Sequence, residues 1–275
     1  MRKRVASRAL RCQAGSMTEA RILPLQGIHN FRDYGAYTGL DGRKVRAGLL
    51  WRSAQHGEAT DDDLAAVDRL GLATIIDLRG TSERTANPCR RSPGFCAEVL
   101  HSPGETAGLA LHLEAAEGAL TREQAFAAMM RLYEGIAFRE NFTPMLRTYF
   151  AALLRGPQPS LVHCVAGKDR TGFAVALAQH VLGVERDVII ADYVLTNQAG
   201  NIERRIAQGA EAIRGKYGDI DDETIRTLMG VEEDYIVTAL DRAETAHGSL
   251  DAYLEAVLGV DAEAREQLRA HYLES

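Results

Sequence analysis

The sequence predicts an α/β protein from three observations: short apolar runs of strand length, helical segments between them, and a final third that reads wholly as helices. Leu49–Ser53 (LLWRS) and Ala73–Leu78 (ATIIDL) are bounded by turn or charged residues and have the length of buried strands. Between them, Thr60 precedes Asp61, Asp62 and Asp63, and Leu64, Val67 and Leu70 follow at helical spacing. An N-capped helix with acids at the positive end of its dipole is expected there. A short strand at Ala97–His101, a long helical stretch from Arg122 to Leu154 and a strand at Ser160–His163 continue the alternation. After Cys164 the chain turns through AGKDRTG into FAVALAQHVLG, which is apolar around nearly its whole circumference and ends on Gly183, where a C-cap belongs. A buried helix follows from that pattern. Further helices are expected at Val188–Asn197, Ile202–Lys216, Asp222–Met229, Glu232–Ala246, Leu250–Leu258 and Ala262–Tyr272, with Ser249 and Asp261 as N-caps and Gly259 as a terminator.

Length and composition favour one large domain. The 275 residues, 46% hydrophobic and 25% charged, contain no Pro/Ser/Gly-rich linker, repeat or low-complexity tract. Residues 1–20 read as a disordered tail ahead of a single domain, 21–275: the first sixteen are basic, have no acidic residue and lack an apolar signal-peptide core. A net charge of −6 argues against a nucleic-acid or membrane-surface binder. No stretch approaches the roughly 20 apolar residues that span a bilayer, so no integral membrane segment is expected. Cys12, Cys89, Cys96 and Cys164 are spaced as neither a disulfide framework nor a metal site, which suggests a reducing, cytoplasmic setting. Ser102–Ala128 lacks a strand pattern, and a lid within 102–140 and a surface helical hairpin are both open readings. Asp219–Glu223 lacks the glycine of a calcium loop and reads as an acidic helix start. Met129, Met130 and Tyr133 read as helix core, with pocket lining as the alternative.

The chemistry concentrates in His163-Cys164-Val165-Ala166-Gly167-Lys168-Asp169-Arg170-Thr171-Gly172, where five residues separate Cys164 from Arg170 between a strand and a helix. Such a loop can turn successive N–H groups inward over the positive end of the following helix, so the backbone from Val165 to Arg170 forms a cradle for an anion. Those N–H groups would stabilise a Cys164 thiolate. The planar fork of Arg170 can bind two phosphoryl oxygens, a geometry lysine cannot reproduce. Thr171 is suited to hydrogen-bond the sulfur, and His163 to order the loop backbone.

HCVAGKDRTG resembles the signature loop of protein tyrosine and dual-specificity phosphatases, and specifically the bacterial atypical group termed tyrosine phosphatase type 3. Gly27-Ile28-His29-Asn30-Phe31-Arg32-Asp33, Leu50-Trp51-Arg52-Ser53, Ile76-Asp77-Leu78-Arg79 with Glu83, and Ala191-Asp192-Tyr193 resemble that family's segments in the same order, over roughly residues 22–260. The resemblance implies a cysteine-dependent phosphatase fold, with a central, mostly parallel sheet flanked by helices. It also implies Cys164 as a phosphocysteine nucleophile and Arg170 as phosphate ligand. Implied substrates are phosphotyrosine, with phosphoserine, phosphothreonine and phosphoinositides beside it; Lys168 resembles the loop lysine of lipid-type phosphatases. No metal or other cofactor is called for.

Leaving-group protonation needs a positioned acid, and no Trp-Pro-Asp segment is present because the single tryptophan, Trp51, precedes Arg52. Asp169 is the first candidate, which the family resemblance also indicates. Asp77, at the end of an expected strand, is the second. Arg79 and Glu83 read as a structural pair, and Arg52 as either a phosphate contact or a partner of Asp33. Two other functions remain open: rhodanese-like sulfur transfer, which also uses a cysteine in an anion loop, and a non-catalytic phosphate-binding module.

Overall fold

The structure is a computed structural model and describes residues 21–106, 120–217 and 220–275. The expected tail with Cys12, residues 107–119 of the 102–140 segment, and Asp219 lie outside the described residues. The strands are β1 (Arg32–Asp33), β2 (Leu50–Ser53), β3 (Thr74–Asp77), β4 (Glu98–His101) and β5 (Ser160–His163). Their order across the sheet is β1-β2-β5-β3-β4, with β1 antiparallel to β2 and the other pairs parallel. The helices are α1 (Asp61–Asp68), α2 (Thr81–Ala86), α3 (Arg122–Ile136), α4 (Thr143–Leu154), α5 (Asp169–Val181), α6 (Arg186–Val194), α7 (Thr196–Ala199), α8 (Ile202–Tyr217), α9 (Asp222–Met229), α10 (Glu233–His247), α11 (Leu250–Leu258) and α12 (Ala262–Tyr272). The chain is therefore α/β with a mostly parallel sheet, and from Asp169 onward its described elements are helices apart from one isolated bridge near the end.

The apolar strand runs are explained by burial on both faces. Ile75 and Leu161 sit opposite one another in register and join a cluster with Ile28, Phe31, Leu64 and Val67 on the α1 side. Their neighbours Ile76 and Val162, also in register, join the larger cluster formed with α4, α5, α10 and α11. Alternate residues of one strand thus feed two cores.

Local chemistry sets the helix ends. Thr60 Oγ1 accepts from Asp63 N at 3.1 Å, and Asp63 Oδ2 accepts from Thr60 N at 3.0 Å, a reciprocal capping box. The same carboxylate accepts from Gln26 N and Gly27 N, which ties the entering chain to α1. Ser249 and Asp261 cap α11 and α12 as expected, and Gly259 is left-handed at φ 72°. The long helix expected over Arg122–Leu154 is two helices, because the chain leaves α3 after Ile136 and restarts α4 with Pro144 in its first turn. Within the 102–140 segment, α3 packs on α9 and α10, and Tyr133 stacks on Tyr235 with ring centroids 5.3 Å apart.

The parallel strands end together. Ser53 of β2 and Asp77 of β3 both pair in register with His163 of β5, the sheet's middle strand. Cys164 therefore emerges in the crevice beyond the carboxyl ends, where open α/β sheets bind ligands.

Candidate functional site

The loop between β5 and α5 is clamped from beneath. Val165 O accepts from Gln55 N at 3.0 Å. Gly167 O accepts from Asn30 Nδ2 at 2.7 Å and from Arg52 Nη2 at 2.9 Å. Gly167 is left-handed at φ 65°, and a Cβ there would lie 2.4 Å from Ser53 O, so the loop turns against β2 at a point only glycine tolerates. Where the loop meets α5, the N–H groups of Val165 through Thr171 find no acceptor among the described residues. Cys164 heads this run and is 3% exposed. Unpaired N–H groups at a helix start favour an anion.

Arg170 is fixed at the other end of the loop. Its Nη1 and Nη2 donate to the two Glu83 carboxylate oxygens at 2.6 and 2.7 Å, and Nη1 also reaches Thr106 Oγ1 at 3.0 Å. Nε has no partner among the described residues. Although burial opposes charge on both groups, the pairing with Glu83 raises the Arg170 pKa, and the guanidinium holds Glu83 below the usual carboxylate range. Glu83 sits in the first turn of α2, where its Oε2 also accepts from Gly80 N at 2.9 Å.

The two candidate acids differ in environment. Asp169 opens α5 with its side chain 25% exposed, and its Oδ1 accepts from the Tyr133 hydroxyl at 2.6 Å. Asp77 is buried beneath the loop and bonded through both oxygens to Arg79, at 2.9 and 2.8 Å. Burial pushes the Asp77 pKa up, but His163 and Arg79 together bring it well below the ordinary value. A carboxylate held anionic and engaged on both oxygens is poorly placed to give up a proton.

The other expected residues take up definite places. His163 is buried, with Nδ1 3.2 Å from Cys164 O, and burial lowers its pKa to about 4, so the ring is neutral. Thr171 Oγ1 is buried and has no hydrogen-bond partner among the described residues. The Lys168 ammonium, on a residue 5% exposed, donates to Leu228 O at 2.6 Å and Gly230 O at 3.0 Å, so it closes the end of α9 instead of projecting into the loop mouth. Two expected pairings need correction. Arg52 does not pair with Asp33: it is fully buried and donates to Asp192 Oδ2 at 3.0 Å and to Gly167 O, so it supports the loop from behind. Asp33 instead accepts from the backbone of Gly35 and Gly48. Arg79 and Glu83 do not pair with each other, because Asp77 takes the first and Arg170 the second.

Asp77, Cys89 and His163 each place a ligand atom within 4.8 Å of the others. Arg79 Nη2 donates to both Asp77 and Cys89, the latter at 3.1 Å, and so already supplies the positive charge that a metal would bring. Cys89, Cys96 and Cys164 are free thiols. No described helix is long and apolar enough to cross a membrane.

Residue-by-residue reading of the sequence missed the supports. Asn30, with φ 58°, reaches Gly167 O, and Asp192 joins Arg32 to Arg52. Tyr193 links to Tyr133 through a 2.6 Å contact between hydroxyls. The segments that carry Asn30, Asp192 and Tyr193 stand out in the sequence only as blocks, with no spacing that gives each side chain a role.

Comparison with known proteins points to one family. The profile of the tyrosine phosphatase family matches residues 23–274. A protein of Cupriavidus necator assigned by name to the tyrosine-protein phosphatases is 33% identical over 265 residues, covering 94% of this chain and 91% of that one. The triple specificity protein phosphatase PtpB of Mycobacterium tuberculosis is 28% identical over 266 residues, covering 85% and 92%. The crystal structure of P. aeruginosa TpbA covers 71% of this chain and 87% of its own at 17% identity, with a TM-score of 0.27 that bears no weight on the site. The chain belongs to the tyrosine phosphatase family.

Proposed function

We propose that this member of the tyrosine phosphatase family hydrolyses phosphate monoesters through a cysteinyl-phosphate on Cys164, without a metal ion. The observation that carries the reading is the run of acceptorless N–H groups from Val165 to Thr171 beginning beside that sulfur. A phosphoryl group is the anion that uses such a run together with a guanidinium. Glu83 holds two hydrogens of the Arg170 fork and leaves Nε and the second Nη2 hydrogen for phosphoryl oxygens.

In the first step the Cys164 sulfur attacks phosphorus as the ester P–O bond breaks, and Asp169 gives its proton to the departing oxygen. In the second step water attacks the cysteinyl-phosphate, returns a proton to Asp169 and releases the thiolate. Thr171 is assigned to that departing sulfur, since its buried hydroxyl has no other partner among the described residues.

The substrate we propose is a single aryl phosphate, phosphotyrosine first, with phosphoserine, phosphothreonine and phosphoinositides as secondary substrates. A relative bears the name triple specificity protein phosphatase, which supports breadth. The placement of Lys168 on the α9 carbonyls supports the ranking, because it keeps that ammonium from a second phosphate. Phosphopeptides and soluble phosphoinositides assayed side by side should give the higher kcat/KM for phosphotyrosine; a preference for multiply phosphorylated inositols would reverse the ranking.

The mechanism is tested by turnover of a chromogenic aryl phosphate in the presence of a chelator. Cys164→Ser should lose roughly 10³-fold or more, as expected for removal of a nucleophile. Arg170→Lys should lose about 10- to 100-fold, the equivalent of one or two charge-assisted hydrogen bonds. Activity that survives Cys164→Ser or requires a divalent ion rejects the mechanism, and thiosulfate turnover without phosphatase activity favours sulfur transfer.

A further inference from the structure

Asp169 is gripped by one oxygen. Oδ1 accepts from the Tyr133 hydroxyl at 2.6 Å and lies 3.8 Å from Lys168 Nζ, while Oδ2 has no hydrogen-bond partner among the described residues. A phenol carries a single proton, and that of Tyr133 is committed to Asp169. The 2.6 Å contact between the hydroxyls of Tyr133 and Tyr193 therefore has Tyr193 as donor. Both tyrosines are buried, at 0% and 1% exposure, and burial raises both phenol pKa values well above normal, which keeps them protonated.

The rings are fixed independently of their hydroxyls. Tyr133 stacks on Tyr235, and Tyr193 meets Tyr133 edge-on at 6.2 Å between centroids. The Tyr193 ring also lies against Gly172 of α5, where a Cβ would be only 2.8 Å away.

We propose that Tyr133, backed by Tyr193, is a positioning residue for leaving-group protonation, holding Asp169 by Oδ1 so that the proton is carried on Oδ2 toward the phosphate. This rests on the reading of Asp169 as the general acid. As the P–O bond breaks, the Oδ2 proton moves to the leaving oxygen and the carboxylate acquires negative charge shared with Oδ1. The Tyr133 hydrogen bond then becomes charge-assisted, so it is stronger in the transition state than in the ground state and acts on rate. In the second step the attacking water returns a proton to Oδ2, and the relay is restored without net change.

The test is kcat/KM over a series of aryl phosphates from good to poor leaving groups, together with the inhibition constant of inorganic phosphate. Asp169→Asn should lose progressively more as the leaving group worsens. Tyr133→Phe, which keeps the stacked ring, should lose about tenfold with phenyl phosphate, consistent with one hydrogen bond to a developing charge. It should lose little with a dinitrophenyl ester and leave the inhibition constant of phosphate unchanged. Tyr193→Phe should show the same selectivity at smaller size, and adding Tyr133→Phe to Asp169→Asn should cost nothing further. A uniform loss across the series for Tyr133→Phe, weakened phosphate binding, or losses that multiply in the double variant would overturn the relay while leaving Asp169 in place. A flat series for Asp169→Asn removes the general-acid assignment itself.

Discussion

Arg170 binds Glu83 through two hydrogen bonds, which sets the plane of its guanidinium before any substrate arrives. Glu83→Gln keeps the size of the side chain but leaves one Arg170 hydrogen without an acceptor and removes the opposing charge. A buried charge deprived of its partner is costly, so Glu83→Gln should lower kcat/KM about tenfold and raise the inhibition constant of phosphate; unchanged values for both would show that Arg170 orients itself. His163 makes a different prediction. Burial holds its pKa near 4, against an unfolded value of about 6.5. Between those values the unfolded chain binds a proton that the folded chain does not, so stability is complete above about pH 6.5 and falls as pH is lowered toward 4. The slope is about 1.4 kcal/mol per pH unit for one proton. Burial shifts His56 in the same direction, and the two rings stack 5.3 Å apart. Urea unfolding of His163→Asn from pH 7 to 4 should show the slope reduced by about one proton, and an unaltered slope would mean that the ring titrates normally.

The loop between β5 and α5 depends on a backbone conformation, so its sharpest test is a methyl group. Gly167→Ala must accept a left-handed φ of 65° and a Cβ 2.4 Å from Ser53 O, and should destabilise by about 3 kcal/mol or more and abolish turnover. Gly259→Ala is the control: its φ is 72°, but nothing lies within 4 Å of the added Cβ, so about 1 kcal/mol and full activity are expected. If the two cost the same, contact with β2 does not shape the loop. This loop was legible in the sequence because nucleophile, glycine and arginine lie within one short contiguous stretch. The strands β2, β3, β4 and β5 were legible for a related reason, since apolar runs bounded by turns carry their own signal. Strand β1 spans two residues and α2 six, too few for any period to show. The break between α3 and α4 was hidden because apolar residues recur at helical spacing straight across it, and Pro144 was the one local sign. Tyr133, Asp192 and Asn30 owe their roles to packing: each meets the loop or its support from a distant part of the chain, and no spacing rule links positions 30, 133 and 192.

At the scale of the whole molecule, one buried carboxylate joins the parts that hold the loop. Asp192 of α6 accepts from Arg32 Nε of β1 at 3.3 Å, from Tyr37 at 3.0 Å and from Arg52 Nη1 of β2 at 3.0 Å, and its backbone oxygen accepts from Arg32 Nη2 at 2.8 Å. Arg52 continues to Gly167 O, and Asn30, which accepts from Arg32, reaches the same oxygen. The edge strand, the second strand, a helix from the last third and the loop thus share a single charge balance. Burial works against the Asp192 charge, but the two guanidinium groups more than offset it and hold its pKa below the ordinary value. The sign follows: a depressed carboxylate stabilises the fold at pH values above its unfolded pKa of about 3.8, and that contribution is lost as pH falls through the lower folded value. Asp192→Asn leaves two buried arginines without their counter-charge, so it should destabilise by about 3–5 kcal/mol at neutral pH. Urea midpoints at constant slope measure this, and the gap between wild type and variant should narrow in strong acid, where wild-type Asp192 is itself protonated. Under conditions where the variant remains folded, its affinity for inorganic phosphate should also fall, because Gly167 O then loses a fixed Arg52. A variant as stable as wild type that binds phosphate equally well would mean that the loop is held by its local contacts alone.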